Sequence, residues 1–304
     1  MRLLITGGSG FVGRHVVDAA LQAGHDVVVL SRDPHLTASK LAGLTGARVR
    51  PDALRCLGAD LQRPDDAVRS LDEVRPDVVV HLAALIHGTR RELRAVNVLM
   101  TGALVEAIGR LDPRPRMVFM SSFAVQDVPT TPYSASKLVA EELVRGGGPP
   151  WVILRPALIY GPHDTGNTEH LVETMREGTH WLPGGGTALI QPVHVRDVAD
   201  ATLAAVYEPR ALNRVYRLGG PEPVSVHDFR VAVREATHGE AVIRSIPLPL
   251  FALGARALAL VGRTGPLGAL HFHKHDHVVD NSLAQAELGF NPRSLARGIS
   301  ESFD

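Results

Sequence analysis

Tyr133 and Lys137 carry the sharpest chemical signal in the sequence. Spacing of four on a helix puts both side chains on one face. A nearby ammonium stabilises tyrosinate and makes a phenol usable as a general acid or base. The chain holds only four tyrosines and three lysines (Lys40, Lys137 and Lys274), so a chance Tyr-x-x-x-Lys has an expectation of about 0.04. A second signal lies at the N-terminus, in Thr6-Gly7-Gly8-Ser9-Gly10-Phe11-Val12-Gly13. Gly7, Gly10 and Gly13 allow a tight turn, close approach of a pyrophosphate, and packing of helix on strand. Phe11 and Val12 open the helix whose free N–H groups and dipole face the phosphates.

The second apolar run ends Val29-Leu30-Ser31-Arg32, where an acidic residue would take the ribose 2′-hydroxyl of NAD. Ser31 and Arg32 suit a 2′-phosphate instead, so NADP(H) is favoured over NAD(H). Asp33, one step on, either serves a ribose or caps a turn with Pro34.

The elements that must position these groups can be read from the apolar pattern. Short runs at Leu3–Thr6, Asp26–Leu30, Val78–Leu82, Met117–Ser121 and Trp151–Leu154 alternate with helical stretches at Val12–Ala23, Glu92–Arg110 and Ser134–Val144. This pattern predicts an α/β fold with a doubly wound parallel Rossmann-type sheet buried on both faces. Beyond Pro156 the rhythm changes, which predicts a smaller C-terminal α/β substrate-binding domain. The expected division is 1–155 for the dinucleotide-binding domain, with returning segments near 193–219 that include a strand at Val215–Leu218. Residues 156–192 and 220–304 make the substrate domain. Ser245–Val261 reads as one apolar core or pocket-lining helix.

Equal numbers of basic and acidic residues, 32 of each, leave no electrostatic footprint for nucleic acid or an anionic membrane. No apolar run reaches the ~18 residues of a spanning helix, and Leu3-Leu4-Ile5 reads as a strand rather than a signal peptide. A cytoplasmic protein acting on a small molecule is expected. The single Cys56 forms no internal disulfide and reads as inert.

His271-Phe272-His273-Lys274-His275-Asp276-His277 is read as a solvated strand or loop with its four imidazoles in a row, and no metal site is assigned there. Gly184-Gly185-Gly186 reads as a mobile substrate lid, with Trp181 either lining the pocket or packing.

The glycine loop and the Tyr-Lys pair together resemble the short-chain dehydrogenase/reductase superfamily. The resemblance is strongest to its extended branch: the NAD-dependent epimerase/dehydratases with their 3β-hydroxysteroid dehydrogenase and dihydroflavonol reductase relatives. It runs nearly end to end. Asp60-Leu61 is similar to the adenine-contacting motif, and His81-Leu82-Ala83-Ala84 to the strand end that flanks the cofactor. Asn97 resembles the family's helix-borne Asn, read as structural or as part of a proton relay. Ser121-Ser122 resembles the Ser/Thr motif, Arg155-Pro156 the strand entering the substrate domain, and His194-Val195-Arg196-Asp197 a motif that holds a returning loop. Asp280–Ala284 and Leu288–Pro292 resemble the C-terminal signature.

The resemblance implies hydride transfer at the nicotinamide C4. Tyr133 would exchange the proton on the substrate oxygen, Ser122 would hydrogen-bond that oxygen, and Lys137 would hold the nicotinamide ribose. Members of the extended branch commonly form a homodimer through the helices near 92–110 and 134–144, while shorter-loop relatives are often monomers; a homodimer is the expectation, a monomer the alternative. Three departures bear on substrate: the Ser122-to-Tyr133 gap of eleven residues is shorter than in typical sugar-nucleotide epimerases, and Leu158 and Ile190 stand where those enzymes carry an Asn and a diphosphate-clamping Arg. Arg176, Arg214 or Arg217 stand as substitutes for that clamp. An oxidoreductase on a non-nucleotide carbonyl or hydroxyl is therefore expected. A nucleotide-sugar epimerase/dehydratase with tightly bound NAD, and a catalytically silent dinucleotide-binding sensor or assembly protein, are the alternatives.

Overall fold

The structure is a computed structural model, and it describes all residues except 45–49, 51, 126–130, 165, 261–264 and 304. The first half alternates strand and helix: β1 (Arg2–Thr6), α1 (Phe11–Gln22), β2 (Asp26–Ser31), α2 (Pro34–Leu41), β3 (Leu54–Gly58), α3 (Pro64–Val74), β4 (Val78–His81), α4 (Arg90–Leu93), α5 (Met100–Gly109), β5 (Arg116–Met120), α6 (Pro132–Gly146) and β6 (Trp151–Pro156). The second half holds β7 (Ile159–Tyr160), α7 (Asn167–Arg176), β8 (Thr179–Pro183), β9 (Leu189–Ile190), β10 (Val193–His194), α8 (Val195–Tyr207), β11 (Arg214–Leu218), β12 (Val224–Ser225), α9 (Val226–Ala236), β13 (Val242–Ile246), α10 (Leu248–Leu260), α11 (Gly265–Lys274), α12 (Ser282–Leu288) and α13 (Leu295–Phe303).

The chain divides into two units. The first comprises Met1–Pro156, Arg196–Leu218 and Asn281–Phe290. Its seven parallel strands run in the order β11-β6-β5-β4-β1-β2-β3. Leu4, Val28, Val79, Met117, Phe119 and Ile153 pack under α3, α5 and α6 in one buried cluster. Their neighbours along each strand, among them Ile5, Val29, Val80, Val118 and Val152, are fully buried as well. Both faces of the strands are thus dry, which is why the runs read as continuous rather than alternating. Reversal of strand order between β1 and β4 creates the crevice at which doubly wound sheets bind ligands.

The second unit comprises Ala157–Val195, Gly219–Asp280 and Asn291–Asp304. Three short strand pairs, β7–β10, β8–β13 and β9–β12, build it. Its core gathers Tyr160, Leu182, Ile190, Phe229, Val233 and Ile299.

Several local readings differ from the structure. Leu54–Gly58 is a strand that the apolar pattern does not reveal, because this strand, at the end of the sheet, stays partly exposed. Asn281–Phe290 joins the first unit, where α12 packs against β11. Ser245 and Ile246 end β13, and the apolar helix starts only at Leu248, after Pro247. The histidine run is not extended: His271 and His273 lie on the last turn of α11. Gly184–Gly186 is a short turn with positive φ at all three glycines and Gly186 buried against Leu182.

Candidate active site

The expected dinucleotide and catalytic residues converge at one edge of the first unit's sheet. Register pairs Thr6 with His81 and Leu30, and His81 with Phe119. Because the strands are parallel, their C-terminal ends meet there, and every loop that follows a strand opens onto the same edge.

Gly7 follows β1 at φ +72, with the place of a side chain taken by the Ala83 backbone. A Cβ at Gly13 would collide with the Gly7 carbonyl. Gly10, Phe11 and Val12 lead into α1, whose first turn has neither a side-chain cap nor an acidic residue. Its N–H groups and positive dipole end are open to an anion, so the cradle fits a dinucleotide pyrophosphate.

Ser31 and Arg32 lie at the end of β2. Ser31 accepts hydrogen bonds from Asp33 N–H and the Thr37 hydroxyl. Asp33 is the N-cap of α2: its carboxylate accepts from Leu36 N–H, with Pro34 in the first turn. The acidic residue that competes for a ribose is therefore engaged in capping, while Arg32 is exposed. Asp60, half-buried after β3, accepts from Gln62 N–H, and Leu61 beside it is buried.

Leu82, Ala83 and Ala84 continue β4. Ala83 N–H donates to the Thr6 hydroxyl at 3.2 Å. The hydroxyl lies 2.6 Å from His81 Nδ1, and His81 Nε2 lies 3.0 Å from the Thr101 hydroxyl. Thr101 donates to the Asn97 carbonyl, so it accepts from Nε2–H and leaves Nδ1 to accept from Thr6. Burial, aided by the Lys137 charge, holds His81 neutral with its pKa pulled down to about 3.

Asn97 sits in a π-helical stretch, Arg94–Leu99, between α4 and α5. Its side chain closes a pair of hydrogen bonds with the Leu85 backbone and donates to the Ser136 hydroxyl at 2.9 Å. This buried side chain ties the segment after β4 to α6, the helix that carries Tyr133 and Lys137.

Helix α6 begins where its sequence says it should. Thr131 and Ser134 form a capping box and Pro132 takes the first turn, which fixes Tyr133 at the helix mouth. Ser122, in the loop after β5, accepts from Ala124 N–H at 3.2 Å and opposes the rise that burial gives the Tyr133 phenol pKa. Phe123 N–H donates to the Pro156 carbonyl at 3.0 Å and anchors that loop to β6.

Lys137 is buried. Its ammonium donates to the Met120 carbonyl at 2.6 Å and lies 4.1 Å from the centre of the Phe119 ring. Burial lowers its pKa to about 7, against the opposing charge of Glu141. Burial raises the Tyr133 pKa, and the opposing influence comes from Ser122. The helical spacing is right, but the carbonyl ending β5 engages the ammonium.

One further residue escaped the sequence reading. Glu141, one turn beyond Lys137, is buried and binds Arg155 through both carboxylate oxygens at 2.8 and 2.7 Å. It also accepts from the Ser121 hydroxyl at 2.6 Å and from Arg145 at 2.9 Å. Burial raises the Glu141 carboxyl, but hydrogen bonds from Arg155 and Ser121 and the arginine charges outweigh it and hold it below its usual value. The signal was present: Ser134, Lys137, Glu141 and Val144 share the buried face of one helix.

In the second unit, Ile190 is buried and Leu158 half-buried against the same apolar cluster. Among the described residues, no group of three or more His, Cys, Asp and Glu side chains could hold a metal ion, and no helix is long and apolar enough to cross a membrane.

Comparison with known proteins gives the site its context. The NAD dependent epimerase/dehydratase family matches residues 3–219. The 4-hydroxy-2-methyl-3-oxo-4-farnesyl-3,4-dihydroquinoline-1-oxide ketoreductase of Stigmatella aurantiaca is 29% identical over 284 residues, covering 87% of this chain and 80% of the relative. The ceramide reductase of Caulobacter vibrioides is 31% identical over 209 residues, 67% of this chain and 61% of that protein's length. The UDP-glucuronic acid 4-epimerase of Bacillus cereus, solved with UDP-glucuronic acid and NAD, shares the fold. Its TM-score is 0.76 at 23% identity, covering 100% of this chain and 98% of that one. With the family matched over most of its length, the chain belongs to the NAD-dependent epimerase/dehydratase family of extended short-chain dehydrogenase/reductases.

Proposed function

We propose that the protein is an NADP(H)-dependent oxidoreductase acting on a carbonyl or hydroxyl carbon of a non-nucleotide, largely apolar substrate. The observation that carries this reading is a groove of about 550 Å³ in the second unit. It is lined by Ile246, Leu250, Phe251, Gly254, Ala255, Leu258 and Ala269, without a charged side chain. Such a surface favours an aliphatic chain and offers nothing to a desolvated diphosphate. Ile190 and Leu158 agree with it, as apolar residues where the sugar-nucleotide pattern calls for a guanidinium and an amide.

A nicotinamide cofactor held at the glycine loop would supply or accept the hydride. In the reducing direction, Ser122 hydrogen-bonds the substrate oxygen and Tyr133 gives that oxygen its proton, leaving an alcohol. Lys137 stays on the Met120 carbonyl and keeps two N–H donors for the ribose. Gly7, Gly10 and Gly13 hold the pyrophosphate, and Arg32 takes the 2′-phosphate while Asp33 caps α2. The two relatives agree with this reading, since one is a ketoreductase of a farnesyl-bearing ring and the other a ceramide reductase.

The test is NADPH oxidation with methyl ketones of rising chain length, alongside UDP-glucose and UDP-glucuronic acid. Each buried methylene is expected to raise kcat/KM by up to about fourfold, from about 0.8 kcal/mol per CH₂. Epimerisation of a UDP-sugar without turnover of any ketone would overturn the proposal.

A further inference from the structure

A half-buried guanidinium with two imidazoles around it lies in the second unit, and the chemistry proposed above uses none of the three. Strand β8 alternates its side chains, so His180 shares a face with Leu182, and Trp181 points the other way, 57% exposed. Leu182 packs in the cluster with Phe229 of α9 and Phe272 of α11. Arg230 and His273 directly follow those two aromatic residues. Three elements distant in sequence therefore converge beside one apolar core.

Both imidazoles have an unmet polar demand. His180 Nε2 and His273 Nδ1 are buried and have no hydrogen-bond partner among the described residues. His273 as a whole is only 7% exposed. The Arg230 guanidinium makes no hydrogen bond or ion pair with any described residue, in a chain where Arg145, Arg155 and Arg293 all have carboxylate partners. A buried ring nitrogen without a partner is costly, and the half-buried Arg230 brings a charge with no carboxylate opposite it among the described residues.

The electrostatics follow from the same placement. Burial lowers the Arg230 pKa to about 10. Burial and then the Arg230 charge lower both His180 and His273 to about 4, with His170 adding to the effect on His180 and His277 to that on His273. Both imidazoles are therefore neutral at pH 7, each able to turn one N–H toward a ligand, and the net charge of the three side chains is that of Arg230. A single negative group would satisfy all three.

We propose that Arg230, His180 and His273 form a binding site for a small oxyanion, held by the guanidinium fork and flanked by the two imidazoles. Two sources share that chemistry: inorganic phosphate and the carboxylate of an organic acid. The site lies wholly within the second unit and does not depend on the hydride chemistry assigned to the first.

Imidazole NMR of the ¹⁵N-labelled full chain tests it, with sodium phosphate and sodium acetate titrated separately against sodium chloride at matched ionic strength. A saturable shift of the His180 and His273 signals is expected, with His25 and His194 unmoved. Saturation by phosphate alone identifies a phosphate-type site, and saturation by acetate identifies a carboxylate site. Arg230→Gln is expected to weaken that binding at least tenfold, with folding checked by circular dichroism. A linear response to both anions, indistinguishable from chloride, overturns the proposal, as does unchanged saturation in folded Arg230→Gln. Should that variant fail to fold, the wild-type titration decides alone.

Discussion

The Lys137 ammonium donates to the Met120 carbonyl, 2.6 Å away at the end of β5. This one hydrogen bond sets the position of the buried cation from the same strand end that leads into Ser122. Burial raises the Tyr133 phenol pKa, and Ser122 opposes that rise. The Met120 hydrogen bond also leaves the ammonium with donors to spare.

Tyr133→Phe is expected to cost at least about a hundredfold in turnover, the usual contribution of a positioned general acid. NADPH affinity should be nearly unchanged. Steady-state kinetics and a calorimetric titration on the same preparation check both halves, and a variant keeping more than a few per cent of activity defeats the assignment.

Lys137→Met separates stability from function. Burial pulls the Lys137 pKa to about 7, below its unfolded value near 10.5. Between those pH values the unfolded chain binds a proton that the folded one does not, so this group makes stability rise with pH. The variant is expected to be neutral to stabilising by up to about 3 kcal/mol at pH 7, with that advantage shrinking toward pH 10. Activity should fall sharply. Urea denaturation at the two pH values reads the first effect.

Arg32→Ala is expected to weaken NADPH at least tenfold, about 1.4 kcal/mol, and to leave NADH alone. Asp33 is already engaged as the α2 cap. Side-by-side titrations of wild type and variant check this. A wild type that prefers NADH would remove Arg32 from its assigned role.

His81 predicts a stability loss in acid. Its folded pKa of about 3 lies below the unfolded value of 6.5. As pH falls below 6.5, the unfolded state takes up a proton that the buried ring refuses. Stability drains away by up to about 1.4 kcal/mol per pH unit until the folded ring titrates. Denaturation between pH 7 and 5 should show a shallower decline in His81→Asn than in wild type. Equal slopes would refute the neutral ring.

Arg155→Met leaves Glu141 buried with its strongest partner gone, Arg145 being half-exposed. A destabilisation of about 3 kcal/mol is expected. Adding Glu141→Gln should recover part of it, because the neutral amide no longer needs the charge. A double-mutant cycle measured by chemical denaturation settles the coupling.

Local chemistry fixed much of this molecule before any tertiary structure was known. The glycine spacing at 7, 10 and 13 and the Tyr133–Lys137 interval depend on turn and helix geometry, which lie within a few residues. The buried strands β1, β2, β4, β5 and β6 announce themselves because both faces must be apolar. The partly exposed β3 carries no such mark. Tertiary structure decided what the polar side chains are for. Lys137 finds a carbonyl on β5, Glu141 finds Arg155 on β6, and Asn97 finds the Leu85 backbone through a π-helical turn that no residue pattern signals. The histidine run reads as a strand or loop, yet α11 takes its first residues into a helix, and His273 there feels the charge of Arg230. Arg230 and His180 come from α9 and β8, and only folding brings such groups near, because long-range electrostatics leave no period in a sequence.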